Sequence, residues 1–95
     1  DGFPKSMPLY GGAQILEADS YGDNGYTMIY MAPAAYTSVV SFYQNAFPGI
    51  EKEYDEPDEC YFENFDIDGN KVHVNGLTIT DDVDYTTVFI TLKYN

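Results

Sequence analysis

One segment of this sequence has the periodicity of an amphipathic helix, and it constrains the fold more than any other feature. Pro33 precedes this segment and suits the first turn of a helix, and the pair Pro48-Gly49 ends it. A chain with one helix must bury that helix against other elements, so the rest of the sequence has to supply them. The apolar stripe of the predicted helix consists of Tyr36, Val39, Val40, Tyr43, Ala46 and Phe47.

The remaining sequence consists of short runs rich in β-branched and aromatic residues, separated by turn-forming residues, which predicts strands. The stretch 19–25 is rich in Gly, Asp and Asn and joins the first two strands into a hairpin. Asp68-Gly69 lies between two later strands and is typical of a hairpin turn. Gly76 interrupts the strand that follows and indicates a β-bulge. The predicted strands are 13–18, 26–31, 60–66, 71–80 and 86–94.

The order of these elements, β-β-α-β-β-β, predicts an α+β fold in which one helix packs on one face of a five-stranded, mainly antiparallel sheet. A length of 95 residues gives one domain, 1–95, with an extended lead-in at 1–12 that runs over the surface. Placing the first strand between the second and the third, in the order 2-1-3-4-5, makes every neighbouring pair antiparallel. One helix covers about half of such a sheet, so we expect the opposite face to stay exposed or to meet a partner.

Charge and composition exclude several classes of function. Sixteen acidic residues against four Lys and no Arg give a net charge of −12, which argues against a nucleic-acid partner. No apolar run approaches the ~20 residues of a transmembrane helix. Cys60 is the only cysteine, so the chain has no internal disulfide and no cysteine zinc cluster. His73 has no second histidine to form a ligand set, and no catalytic or nucleotide-binding motif is present. We therefore expect no enzyme activity and no cofactor.

The acidic residues concentrate in the predicted connections. With the strand order above, the connections 19–25, 48–59 and 81–84 lie at one end of the sheet and form an acidic pole. Such a pole is either solvated and screened by salt or neutralised by a weakly bound divalent cation. The calcium-loop pattern is incomplete in 66–73, which we interpret as a hairpin turn. The candidate oxygen donors of a weak cation site are Asp19, Asp23, Asp81, Asp82 and Asp84.

Tyrosine is the most unusual component, with ten residues in the chain. A tyrosine buries its ring while its hydroxyl reaches a polar partner, so it can fill a core that is short of leucine. The same side chain is common in surfaces that recognise carbohydrate, peptide or protein. The sequence leaves both roles open.

Two tracts carry a resemblance to a known group of proteins. Met7-Pro-Leu-Tyr-Gly-Gly-Ala13 precedes the first strand, and the helix contains Val39-Val40-Ser-Phe-Tyr43. This order resembles small extracytoplasmic domains of bacterial lipoproteins of uncharacterised function, in which a Leu-Tyr-Pro-Gly-Ala-like tract precedes the first strand and the helix carries a Val-x-x-Phe-Tyr core. Gly11 stands where the group has Pro, and the helix start lacks the usual acids. The resemblance implies export and tethering through a lipidated cysteine upstream of this chain, and it implies no catalytic residue.

These observations favour a non-catalytic binding or interaction domain of an exported, membrane-tethered bacterial protein. Its partner would be a protein, a peptide or a carbohydrate, and self-association through the open sheet face is a further possibility. The alternative is a small enzyme of unrecognised type that uses loop carboxylates.

Overall fold

The computed structural model describes residues 3–95, with residues 54 and 55 described by their backbone alone; residues 1 and 2 of the predicted lead-in lie outside it. The predicted α+β class is confirmed: the described residues form five long strands, one helix and an additional three-residue strand. Within the described residues, no helix is long and apolar enough to cross a membrane. The elements are β1 Gln14–Ser20, β2 Gly25–Ala32, α1 Tyr36–Ala46, β3 Tyr54–Glu56, β4 Glu59–Ile67, β5 Val72–Asp81 and β6 Thr86–Tyr94.

The sheet has the strand order β1-β2-β6-β5-β4-β3, and every neighbouring pair is antiparallel. The predicted order 2-1-3-4-5 is wrong. It placed the first strand inside the sheet and the last strand at the edge, whereas in the structure β1 is the edge strand and the last strand, β6, pairs with β2 near the centre. The short strand β3 explains the difference. It lies inside the charged connection 48–59 and reverses the chain before β4 begins, so β4, β5 and β6 all run opposite to the predicted direction.

Backbone hydrogen bonds from the end of β6 show which turns lie at the same end of the sheet. At the C-terminal end, the Tyr94 amide donates to the Asn24 carbonyl at 3.0 Å, and the Asn95 amide donates to the Lys71 carbonyl at 3.0 Å. This end therefore carries the β1–β2 turn and the β4–β5 turn. The opposite end carries the β5–β6 turn, the turn before β4 and the residues that lead into α1, and we call it the helix-start end.

The core lies between α1 and one face of the sheet. Inward side chains alternate along the central strand β6, where Val88 and Ile90 are fully buried. A bulge in β5 preserves this burial: the register against β6 shifts between Val74 and Gly76, as predicted. Because of that shift, Val74 before the bulge and Leu77 after it both point into the core.

The helix follows the predicted stripe with two corrections. It begins at Tyr36, after Ala35 in an extended conformation, so Pro33 precedes the helix and is not in its first turn. Val39, Val40 and Tyr43 are buried, whereas Ala46 at the end of the stripe is exposed. The helix ends as predicted at the Pro-Gly pair, and the next amide, that of Phe47, donates to the carbonyl of Tyr43.

The lead-in contributes to the core, and the prediction that it runs over the surface is wrong for Met7, which is 2% exposed. A chain of hydrogen bonds holds this segment to the sheet and the helix. The Tyr10 amide donates to the Tyr30 hydroxyl (3.0 Å), which lies 2.6 Å from the Tyr43 hydroxyl, and Tyr43 donates to the Pro8 carbonyl (2.8 Å). Because a carbonyl can only accept, Tyr43 uses its proton on Pro8, and Tyr30 is the donor to Tyr43.

Candidate binding face

The side of the sheet that faces away from α1, which we call the open face, carries a row of paired side chains that crosses five strands. Residues that pair across antiparallel strands point to the same face, so this row is continuous. Phe89 stands at its centre and is 45% exposed. In strand order from β1 to β4, the row consists of Glu17, Ile29, Phe89, Thr78 and Tyr61.

A cavity of about 330 Å³ lies on this face between the Tyr61 and Phe89 side chains. Gly76 at the bulge makes room for the Tyr61 ring, because a Cβ at this position would lie 3.1 Å from the Tyr61 hydroxyl and 3.2 Å from Cε1. Three polar residues, Asn75, Thr78 and Thr91, complete the lining. The cavity thus combines two aromatic side chains with several hydrogen-bonding groups.

The surroundings of Tyr61 favour the protonated form of its hydroxyl. Partial burial raises the pKa of Tyr61, and a hydrogen bond with Glu63 and the negative charges of Glu63 and Glu53 raise it further. A phenol has one proton, and Tyr61 donates it to the Glu63 carboxylate, so toward a ligand its oxygen is a hydrogen-bond acceptor. Tyr61 therefore presents a polar group as well as a ring edge on the open face.

A second depression, of about 170 Å³, lies on the β1 side of Phe89. Two acidic residues of β1 line it together with residues of β2 and β6: Glu17, Asp19, Thr27, Met28, Ile29 and Phe89. Phe89 therefore lies between a cavity toward β4, whose lining residues are uncharged, and an acidic depression toward β1.

A histidine and an aspartate interact at the C-terminal end of the sheet. His73 Nδ1 lies 3.0 Å from Asp66 Oδ1, and Nε2 lies 3.3 Å from Asn64 Oδ1. The hydrogen bond from His73 lowers the pKa of Asp66, and the Asn95 side chain acts in the same direction. The segment 66–73 is a hairpin turn as predicted, in which Lys71 N donates to Asp68 O.

The structure separates the aspartates that were predicted to share a cation site. Asp19 pairs with Thr27, which pairs with Thr91, whereas Asp81 pairs with Thr86 at the helix-start end. Between Thr86 and Thr91, β6 spans roughly 17 Å at about 3.4 Å per residue. The predicted convergence of the loops 19–25 and 81–84 is therefore wrong.

The five candidate donors form two separate groups. Asp19 and Asp23 belong to the C-terminal end, and Asp81, Asp82 and Asp84 to the helix-start end. Asp82 accepts a hydrogen bond from the Thr87 hydroxyl at 2.5 Å. In the part of the chain that the structure describes, no three His, Cys, Asp or Glu side chains are placed to hold a metal ion.

The three aspartates at the helix-start end border a wide depression of about 630 Å³ beside the first residues of α1. Ala34, Ala35 and Thr37 at the start of α1 also line it, as does Pro57. Thr86 anchors the residues before α1, because its buried hydroxyl donates to the carbonyl of Ala34 at 2.8 Å. Negative side chains near the start of a helix interact favourably with its dipole, so a structural role accounts for this acidic turn.

Sequence reasoning did not identify Phe89 as the centre of a surface. The signal was present, because alternation along 86–94 places Phe89 on the opposite face from Val88 and Ile90. What the sequence could not show is that Tyr61 lies two strands away in the same row.

Comparison of the chain with protein-family models, with curated proteins and with solved structures gives no match. A role for this face therefore depends on the chemistry of its own residues.

Proposed function

We propose that this chain is a non-catalytic binding domain of an exported, membrane-tethered bacterial protein, and that the open face is its ligand surface. The observation that carries the proposal is the cavity between Tyr61 and Phe89 on a sheet face that no other element of the described chain covers. Aromatic side chains with nearby hydroxyl groups provide apolar contact and directional hydrogen bonds together, which is typical of recognition surfaces.

The open face can be tested by changing its central residue. Phe89→Thr should fold, because Thr87 and Thr91 occupy the equivalent positions on the same strand. Val83→Thr is the matched control, since Val83 is 95% exposed in the β5–β6 turn, away from the open face. Both variants are first compared with the parent by circular dichroism and thermal melting.

The measurement is an NMR titration of the ¹⁵N-labelled domain with soluble oligosaccharides and with short peptides of varied charge. We expect amide shifts concentrated around Tyr61, Gly76 and Phe89 for at least one probe, lost in Phe89→Thr and kept in Val83→Thr. Static light scattering over a concentration series identifies self-association as the alternative use of the same face. Shifts that cluster at the acidic turn 81–84, or that persist in Phe89→Thr, would contradict the proposal.

Export and tethering are supported by the resemblance to lipoprotein domains and need a separate experiment. The natural full-length protein is expressed in a bacterium grown with a clickable palmitate analogue. We expect the label on the protein and the protein in the membrane fraction. An unlabelled protein in the soluble fraction would remove tethering from the proposal and leave the binding face untouched.

A further inference from the structure

In the part of the chain that the structure describes, the β1 edge of the sheet is a second surface that no other strand or helix covers. β1 pairs with β2 on one side only, and all seven of its residues are exposed. A strand at an edge has unpaired N–H and C=O groups along its outer side, which can pair with another extended chain. The other edge is the three-residue β3, which offers much less backbone.

β1 also exposes apolar side chains. Ile15 is 52% exposed and Leu16 is 54% exposed, and Tyr21 directly after the strand is 56% exposed. Leu16 lies at a register shift between Ile15 and Glu17, so it is an unpaired bulge residue. Edge strands are usually protected by charge, by proline or by bulges. Here the protection consists of one bulge and two acidic side chains.

The negative charge of the two acidic side chains favours a basic partner. Glu17 and Asp19 point to the open face and border the depression that Ile29 and Phe89 line. Pairing of β1 with a second copy would bring together two chains of net charge −12, which repel each other. A basic strand paired with β1 would instead place Lys or Arg side chains about 5 Å from Glu17 and Asp19 on the same face, close enough to form ion pairs.

We propose that β1 is a strand-addition site for an extended partner segment that carries Lys or Arg at alternate positions. This inference extends the proposed function by naming a partner class, and it uses an edge that the Tyr61–Phe89 cavity does not include. Backbone pairing along β1 provides affinity, and the acidic depression provides selectivity for basic side chains.

The probe is a synthetic, end-capped seven-residue peptide in which Lys alternates with Val or Thr. Two further peptides carry N-methyl groups, one on the Lys amides and the other on the Val and Thr amides. The N–H groups of alternate residues in a strand point to opposite edges, so strand addition requires one methylated peptide to bind and the other to fail. Binding by charge alone does not distinguish the two. A peptide with Glu in place of Lys is the charge control.

The readout is NMR of the labelled domain, by amide shifts and hydrogen exchange. We expect shifts along 14–20 and at least tenfold slower exchange at alternate β1 amides. The double variant Glu17→Gln, Asp19→Asn should weaken binding about fivefold, as expected for the loss of two exposed ion pairs. Asp81→Asn, Asp84→Asn removes the same charge at the helix-start end and should leave affinity unchanged.

Several outcomes would overturn the inference. One is equal binding of both methylated peptides. The others are an equal loss of peptide affinity in the two double variants, and no slowing of hydrogen exchange at the β1 amides. In each case the Phe89→Thr titrations with the other probes still decide the proposed function, because their readout lies around Tyr61 and Gly76. Conversely, the β1 amides could exchange more slowly while no probe shifts the amides around Tyr61 and Gly76. That result would support the edge site and contradict the proposed role of the cavity.

Discussion

At the scale of single residues, the tyrosines divide into two groups. Tyr30 and Tyr43 are fully buried, and their hydroxyl groups form a relay from the Tyr10 amide to the Pro8 carbonyl. Tyr61 lies on the open face and lines a cavity. Tyrosine therefore fills the core of this protein and also lines the proposed binding face.

The relay predicts the effect of removing one hydroxyl. In Tyr43→Phe, the Pro8 carbonyl loses its donor and the Tyr30 hydroxyl loses its acceptor, which costs about 1–3 kcal/mol of unfolding free energy. Urea denaturation measures this change. Tyr21→Phe is the control, because Tyr21 is 56% exposed and should stay within about 0.5 kcal/mol of the parent. Equal stability of Tyr43→Phe and the parent would show that the relay contributes nothing.

The same pair predicts alkaline sensitivity. Burial raises the pKa of Tyr30 and of Tyr43, and the neighbouring Tyr30 raises the pKa of Tyr43 further. Both groups are neutral in the folded and unfolded states below pH ~10, so their contribution is complete there. Above that pH the unfolded chain loses phenol protons that the folded chain keeps, and stability falls by up to about 1.4 kcal/mol per pH unit for each group.

Urea denaturation between pH 8 and pH 11 checks this dependence. The parent should lose stability steadily above about pH 10. Tyr43→Phe should lose it with a shallower slope, because one buried phenol is absent. Parallel curves for the two proteins would assign the decline to other groups.

At the scale of elements, β2 and β6 approach each other closely where β2 begins. A Cβ on Gly25 would overlap the Leu92 carbonyl oxygen and lie 3.3 Å from the Lys93 Cα. Both obstacles are backbone atoms of the central strand, so neither can move without disturbing the sheet. Glycine is required here for lack of space.

We therefore expect Gly25→Ala to destabilise the fold by ~2 kcal/mol or more, through distortion of the β2–β6 pairing. Gly11→Ala is the matched control, since nothing lies within 4 Å of a Cβ built there. Thermal melts of the two variants give the comparison. A melting temperature of Gly25→Ala equal to that of Gly11→Ala would show that the strands separate at little cost.

A three-residue strand has the largest consequence among the elements. β3 pairs with β4 and returns the chain toward the helix-start end, which sets the direction of the three strands that follow. The sequence of this region, rich in acids and containing Pro57, has no strand periodicity. A sequence-based prediction therefore treats it as a loop, and the direction of half the sheet is then inverted.

At the scale of the whole molecule, the net charge of −12 is distributed over both ends of the sheet. The repulsion is therefore general and not focused in one acidic pole. Salt screens such repulsion, because the Debye length falls from about 10 Å at 0.1 M to about 3 Å at 1 M.

We expect the melting temperature to rise by several degrees when sodium chloride is increased over this range. Calcium chloride at matched ionic strength should produce the same rise, because the structure separates the five candidate donors. Differential scanning calorimetry in the two salts provides the test. A larger rise in calcium, reversed by chelator, would instead indicate a specific site that binds only the native state.

The amino-acid sequence by itself determined the local elements of this protein. Residue periodicity and turn chemistry predict the helix with its Pro-Gly end and the five long strands. They also predict the hairpin turn after β4 and the bulge at Gly76. Those signals act over a few residues, so they are readable without knowledge of the partner strands.

The tertiary structure alone decided which elements meet. Four features depend on contacts between residues far apart in the chain. They are the pairing of β2 with β6, the position of Tyr61 and Phe89 in one row, the burial of Met7 and the separation of Asp19 from Asp81. Several strand orders keep every pair antiparallel, and local patterns favour none of them. Packing of the whole core selects one order, and the two candidate binding surfaces follow from it.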